Sequence, residues 1–274
     1  MNRQQQNARF RQLQRQQAKY EKIWQPRIKE ALDASFKPIL AFIKDNTIEA
    51  TMALAPSLLN ADQLKKVLNN LWIRTGIAQA NDEYGFLIKT YPEILQSKAF
   101  GFNQLWRNII QAFLDQFGAR KIAQMASTDQ QIINRLLQQA LDAGYDTIEA
   151  AKLIESSLVN TYRSRLIART ELLGASSMGA SLGAKKTGLA MNKTWLSVRR
   201  NTTRRLPGDQ FDHWNMDGVS VGIDELFLVA GKTGAEFMAY PGDQERGSAG
   251  DICNCLCKVI HEATRDVSGR LIRI

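Results

Sequence analysis

Between Gly174 and Ala184 the chain reads GASSMGASLGA, directly after the helix-forming run TYRSRLIARTELL. Glycine costs a helix about 1 kcal/mol at each interior position. A helix that keeps Gly174, Gly179 and Gly183 among alanines and serines therefore needs compensation. Small residues supply it when they let another backbone come close. The run thus predicts a long helix with a tightly packed neighbour.

The rest of the first two-thirds is also helical in period. Phe10, Leu13, Tyr20, Trp24 and Ile28 draw a narrow apolar stripe on a Gln- and Arg-rich rod. So thin a stripe suits packing against a partner helix, on this chain or another, better than burial in a globule. Pro26 and Pro38 are expected to mark kinks or helix starts. Residues 61–81, 102–126 and 127–144 read as further helices. The last has Ser127 or Thr128 as N-cap and Gly144 as C-cap. A short helix and the long one follow over 146–188, with Asp146 and Glu149 spaced as a capping box.

From Trp195 the pattern changes. KTWLSV alternates, Asp217-Gly218 is a turn signal before VSV, and ELFLVAGKTGAEFMAYPGD reads as two strands around a Gly-Lys-Thr-Gly turn. A phosphate-binding loop would need glycine at position 226, which is Leu226, so the hairpin explains the glycines better. ICNCLCKVIH reads as a strand. The fold class is α+β: a basic helical arm over 1–50, an α-helical domain over 51–190 and a small α+β or β-rich domain over 191–274.

The 274 residues carry a net charge of +9, unevenly placed. Arg3, Arg9, Arg11, Arg15, Lys19, Lys22, Arg27 and Lys29 face only Glu21 and Glu30 within the first thirty residues, and Arg199, Arg200, Arg204 and Arg205 form a second basic run. Such asymmetry points to a polyanion, either nucleic acid or an acidic protein surface, and equally fits solvated faces. The candidate contacts are Arg3, Arg9, Arg11, Arg15, Lys19 and Lys22. No apolar stretch reaches a membrane span, the first residues lack the apolar core of a secretory signal, and three clustered cysteines do not make a disulfide framework. The expected compartment is a reducing cytoplasm, with no membrane partner.

All three cysteines and one of the two histidines fall within DICNCLCKVIHE, and the other histidine, His213, lies upstream in DQFDHWNMDG. On a strand, next-but-one residues stand about 6.7 Å apart, whereas two thiolates on one zinc ion lie about 3.8 Å apart. Two neighbouring cysteines can lean onto one ion, but further ligands must come from elsewhere, and His213 is the obvious donor. His213, Cys255 and Cys257 are thus candidate ligands of a structural zinc. A row of buried thiols explains the same residues without a metal.

Several pieces, taken in order, resemble the phage head-morphogenesis family, the minor head proteins related to the F protein of Mu-like phages. They are Arg165, Ala168, Arg169, Thr170 and Glu171 on one helix, then Trp195, His213 with Asp217-Gly218, Glu225 with Phe227, Tyr240-Pro241-Gly242-Asp243, and Asn254-Cys255-Leu256-Cys257. The match covers roughly residues 145–262. It departs from the family at Asn201, where an Asp is usual, at Leu256, where an Arg is usual, and at the additional Cys253. The resemblance implies a non-enzymatic virion protein, present in few copies per head and recruited near the portal in the host cytoplasm. Its implied partners are the portal protein, the major capsid or scaffolding protein and phage DNA. It also implies a structural role for Arg165, Arg169, Thr170, Glu171, Asp217, Gly218 and Asn254. The alternative from another class is a metal-dependent DNA-processing nuclease built on His213 and the cysteines.

Overall fold

The computed structural model describes residues 1–93, 102–158 and 161–274. Seven longer helices come first among the described residues: α1 (Arg3–Asp45), α2 (Ile48–Leu58), α3 (Asp62–Thr90), α4 (Phe102–Phe113), α5 (Ala119–Asp142), α6 (Thr147–Leu158) and α7 (Thr161–Lys185). Strands β1 (Met191–Leu196), β2 (Ser220–Gly222), β3 (Phe227–Gly231), β4 (Gly234–Met238) and β5 (Lys258–Ala263) follow, with a single helical turn α8 (Ala249–Ile252) before β5. The fold class is the expected α+β.

The compact units do not follow the linear division into 1–50, 51–190 and 191–274. One unit comprises residues 1–21, 71–111 and 169–274, and the other 22–70 and 112–168. The physical reason is size. A three-stranded sheet and a hairpin bury too little on their own, so they share a core with helix segments drawn from distant parts of the chain.

In the all-helical unit, α1 supplies Trp24, Ile28, Leu32, Phe36, Ile39 and Ile43, buried at helical spacing. Pro26 and Pro38 lie inside this one continuous helix and start no new one. Thr47 caps α2 by accepting the amide of Ala50 at 3.1 Å. The Asp146–Glu149 box forms as read, with the Glu149 amide on Asp146 Oδ1 at 2.7 Å and the Asp146 amide on Glu149 Oε2 at 3.0 Å. Gly144 adopts φ +69° at the end of α5. Ser127 and Thr128 cap nothing: they lie inside α5, where the Thr128 hydroxyl donates to the Gln124 carbonyl. The join between the expected short and long helices, residues 159–160, lies outside the described residues.

In the other unit α3 and α7 meet backbone to backbone. A methyl group added at Gly179 would stand 2.3 Å from the Gly76 carbonyl oxygen, and one at Gly183 equally close to that of Ala80. The small-residue run is therefore the seat of α3. Its partner lies in the same chain.

The sheet has strand order β2-β1-β5, antiparallel throughout, with Trp195 opposite Val259 and Lys193 opposite His261. The β3–β4 hairpin pairs Leu228 with Phe237 around Lys232-Thr233. Leu173, Trp195, Phe211, Met216, Phe227, Val229, Met238, Cys255, Cys257 and Val259 form one core cluster. At about 1.5–3 kcal/mol for each large side chain buried, this cluster is the main stabilising term of the sheet region. Residues 3–21 of α1 lie in the same unit. Leu13 packs on Leu196 and Ile260, with Phe10 beside it. The first part of the thin stripe, Phe10 and Leu13, thus covers this chain's own sheet, where a helix partner was expected, while Trp24 and Ile28 belong to the all-helical unit.

Two outcomes test this packing. Gly179→Ala and Gly183→Ala should each lower stability by about 2–3 kcal/mol, the cost of overpacking. Gly85→Ala, where an added methyl meets no atom within 4 Å, should stabilise by about 0.5–1 kcal/mol. Urea midpoints of the three variants decide between them.

Asp129, buried in the all-helical unit, has its carboxyl pushed up to about 6 by burial, partly opposed by the Arg163 guanidinium it pairs with. The folded chain holds this proton more tightly than the unfolded one. Its contribution is therefore full below the ordinary carboxylate range and is lost as pH rises through about 6. The stability of the native chain minus that of Asp129→Asn should accordingly fall between about pH 4 and pH 6. Denaturation at a series of pH values would read the slope.

Candidate metal centre

ICNCLC is not strand. β5 begins at Lys258, and residues 253–257 form a loop in which Asn254 takes φ +56°. This left-handed residue, tolerated by Asn at low cost, breaks the strand spacing. In the loop that follows, Cys255 and Cys257 stand together where a strand would hold them apart. Their sulfurs converge on His213, whose Nδ1 lies 3.4 Å from Cys255 Sγ and 3.7 Å from Cys257 Sγ. Ligand atoms of the three residues all lie within 4.8 Å of one another. Tetrahedral zinc with ordinary bond lengths requires N···S of about 3.5 Å and S···S of about 3.8 Å. The group can bind a metal ion.

Around it lie two residues to which the sequence reading gave no role. The Asp251 carboxylate accepts from His213 Nε2. It fixes the ring so that Nδ1 faces the sulfurs, the usual orienting arrangement for a ligating imidazole. The Ser197 hydroxyl donates to the His213 carbonyl and lies 3.7 Å from Cys257 Sγ. The only sequence signal for Asp251 is an acid two residues before the cysteine run. Ser197 offers none, because pairing β1 with β5 is what delivers it.

Cys253 is exposed and stands apart from the group. His261 points elsewhere, with Nδ1 3.0 Å from Glu83 Oε1. Glu83 in turn accepts from Arg9 at 2.6 Å.

The electrostatics of the group are tightly coupled. Burial lowers the His213 imidazole, but Asp251 and Cys257 outweigh it and lift the group to about 9. The hydrogen bond from Cys255 and the nearby imidazole hold Cys257 well below the usual thiol range, against burial. That same bond, with burial, pushes Cys255 well above it. The metal-free group is thus a thiolate–imidazolium pair with a thiol donating into it. An incoming divalent ion would displace the Nδ1 proton and the Cys255 proton together.

The group is closed to solvent. His213, Asp251, Cys255 and Cys257 are each at most 3% exposed. Closure separates a structural metal site, whose coordination is completed inside, from a catalytic one with a position open to substrate.

The remaining motif residues surround this core. Arg169 Nη1 donates to Asn254 Oδ1 at 2.6 Å, and the Asn254 amide donates to Thr170 Oγ1 at 3.0 Å. Glu171 accepts from Trp72 Nε1 at 2.6 Å and from Gln244 Nε2 at 3.2 Å. Asp217 accepts the Ser197 amide at 3.0 Å, and Gly218, at φ +87°, donates its amide to the Trp195 carbonyl at 2.8 Å. Arg165 is exposed on the part of α7 within the all-helical unit.

Of the basic candidates, Arg11, Arg15, Lys19 and Lys22 are exposed and Arg3 pairs with Asp217. Arg9 is not an outward cation. It is 2% exposed, paired with Asp82 and Glu83 and stacked 4.2 Å from the Phe86 ring centroid.

Comparison with family models, with curated proteins and with solved structures finds no match to this chain. No helix among the described residues is long and apolar enough to cross a membrane.

The burial pattern has a direct chemical readout. In the folded chain one thiol, Cys253, should react quickly with a disulfide reagent, and the other two should react only after unfolding. Cys253→Ser should abolish the fast phase, as a timed thiol titration would show.

Proposed function

We propose that this chain is a structural component of a phage head, a minor head protein working beside the portal, and that His213, Cys255 and Cys257 hold a structural zinc ion. One observation carries the reading. The residues that resemble the head-morphogenesis pattern are spent mostly on internal cross-links. Arg169, Thr170, Glu171, Asp217, Gly218 and Asn254 each bond to another element of the same unit. The His/Cys/Cys group they enclose is closed. Such an arrangement suits a rigid docking module better than a turnover site. The zinc would supply the fixed tie between two loops that a small sheet lacks.

The nuclease alternative requires a histidine within reach of a phosphodiester, and a His213 that is 2% exposed gives it little support. In the favoured reading the module engages portal, capsid or scaffolding subunits during assembly in the host cytoplasm, and phage DNA lies within its reach in the filled head.

Elemental analysis of the full chain tests the metal. About one zinc per chain, lost in Cys255→Ser together with a lower melting temperature, is expected. A folded, metal-free native chain prepared with zinc present would remove the ion from the reading. Co-purification with DNA-filled particles tests the rest: absence from particles that contain portal would overturn the head assignment. Metal-dependent DNA cleavage lost in His213→Ala would favour the nuclease.

A further inference from the structure

The second basic run, R199-R-N-T-T-R-R205, makes a built surface, which the exposed cations of α1 do not. Two of its guanidiniums stack on one ring. Arg199 Cζ lies 5.3 Å and Arg205 Cζ 5.1 Å from the centroid of Trp214, which is half-buried and so fixed in place. Arg199 takes φ +51°, a left-handed backbone that is unfavourable for a non-glycine residue. The conformation is held by the Trp214 stack and by an ion pair from Arg199 Nε to Asp217 at 2.9 Å.

The loop itself is tied at each end. The Thr203 amide donates to the Arg200 carbonyl at 2.8 Å, and the Arg200 amide to Thr203 Oγ1 at 3.1 Å. The amides of His213 and Trp214 both donate to the Arg204 carbonyl at 3.0 Å. The Arg205 amide donates to Asp209 Oδ2 at 3.1 Å, and the Arg204 guanidinium reaches the Cys253 carbonyl.

The acids nearby do not neutralise this surface from outside. The Asp217 side chain is 4% exposed, beneath Arg199 and Arg3, which are about half exposed. Asp212 is buried and occupied by Asn215. Asp209 is exposed and accepts the Arg205 amide at the end of the loop.

We propose that the 199–205 loop, held on Trp214, is a phosphodiester-binding surface that takes nucleic acid without regard to sequence. Arg200 and Arg205 are the contacting cations and Trp214 is a positioning residue. The cations of this surface are all arginine, whose planar fork matches phosphate oxygens two at a time. Exposed Asn201 and Thr202 at the tip add the amide and hydroxyl donors that commonly accompany phosphate contacts. A loop already in its bound shape loses little freedom on binding. The surface stands on this geometry alone and does not depend on the head-protein reading.

Fluorescence anisotropy of the full chain with labelled DNA of about 20 nucleotides, single-stranded and duplex, at about 50 and 200 mM salt tests it. Arg200→Ala/Arg205→Ala should weaken binding at least about tenfold and reduce the log–log salt slope by about 2, since each lost phosphate contact removes close to one released ion. Trp214→Leu should weaken binding with the slope kept, and Trp214→Phe, which keeps a ring, should restore it. The triple variant Arg11→Ala/Arg15→Ala/Lys19→Ala should bind as the native chain does. Melting curves establish that each variant is folded. Three results would each overturn the proposal: no binding by the native chain at low salt, native affinity in the double arginine variant, or displacement of DNA by polyglutamate at equal charge.

Discussion

Gly179 over the Gly76 carbonyl and Gly183 over that of Ala80 set α3 and α7 at a distance that side chains would forbid. The placement of the candidate metal centre follows from that contact. With α7 pressed on α3, Glu171 reaches the indole of Trp72, and Gln244 joins the same carboxylate. Immediately before Glu171, Arg169 and Thr170 hold Asn254, the left-handed residue from which the chain enters the cysteine loop. Gly242 meets Leu173 and Gly174 so closely that any side chain there would clash. The tie from helix contact to cysteine loop thus runs through the buried bonds of Trp72 and Gln244 to Glu171 and ends on the exposed Asn254. Buried bonds such as those of Glu171 are worth more than exposed ones, and breaking one strands its partner.

Much of the unit that holds the centre is bound by charged or polar groups turned inward. Arg9, Glu83 and His261 form a buried chain, and Lys258 reaches Gln17. Burial lowers Lys258 to about 8, as expected for an ammonium removed from water. Pairs of this kind stabilise little against a hydrophobic substitute, yet they tolerate few alternative partners. They therefore fix where the first helix lies on the sheet. Leu13 alone could slide along its apolar neighbours, but Arg9 and Gln17 on either side could not.

How much of this was legible in the sequence differs from element to element. The capping box at Asp146, the hairpin at Lys232-Thr233 and the close contact at Gly179 were readable because each is a local rule of backbone geometry. Ser127 and Thr128 misled because a good cap residue is also tolerated inside a helix once its hydroxyl bonds back to an earlier carbonyl. The cysteine run misled for a different reason. Its alternation matches a strand, but the chain turns at Asn254, which Arg169 and Thr170 hold from a distant helix, and runs as a loop to Cys257. His213, Cys255 and Cys257 could be paired from composition, since so few soft ligands exist, but Asp251 and Ser197 could not. Arg9 was indistinguishable by sequence from Arg11. Its direction depends on Glu83, more than seventy residues away.

The unit that holds the candidate centre is gathered from residues 1–21, 71–111 and 169–274. During synthesis this makes α1 wait for β5. Leu13 emerges from the ribosome long before Leu196 and Ile260 exist to cover it, and β1 has no β5 to pair with until residues 258–263 are made. A product that stops before Ile260 leaves those apolar faces bare. Partial chains are therefore directed to chaperones or to aggregation. Folding of this unit is thereby coupled to synthesis of β5.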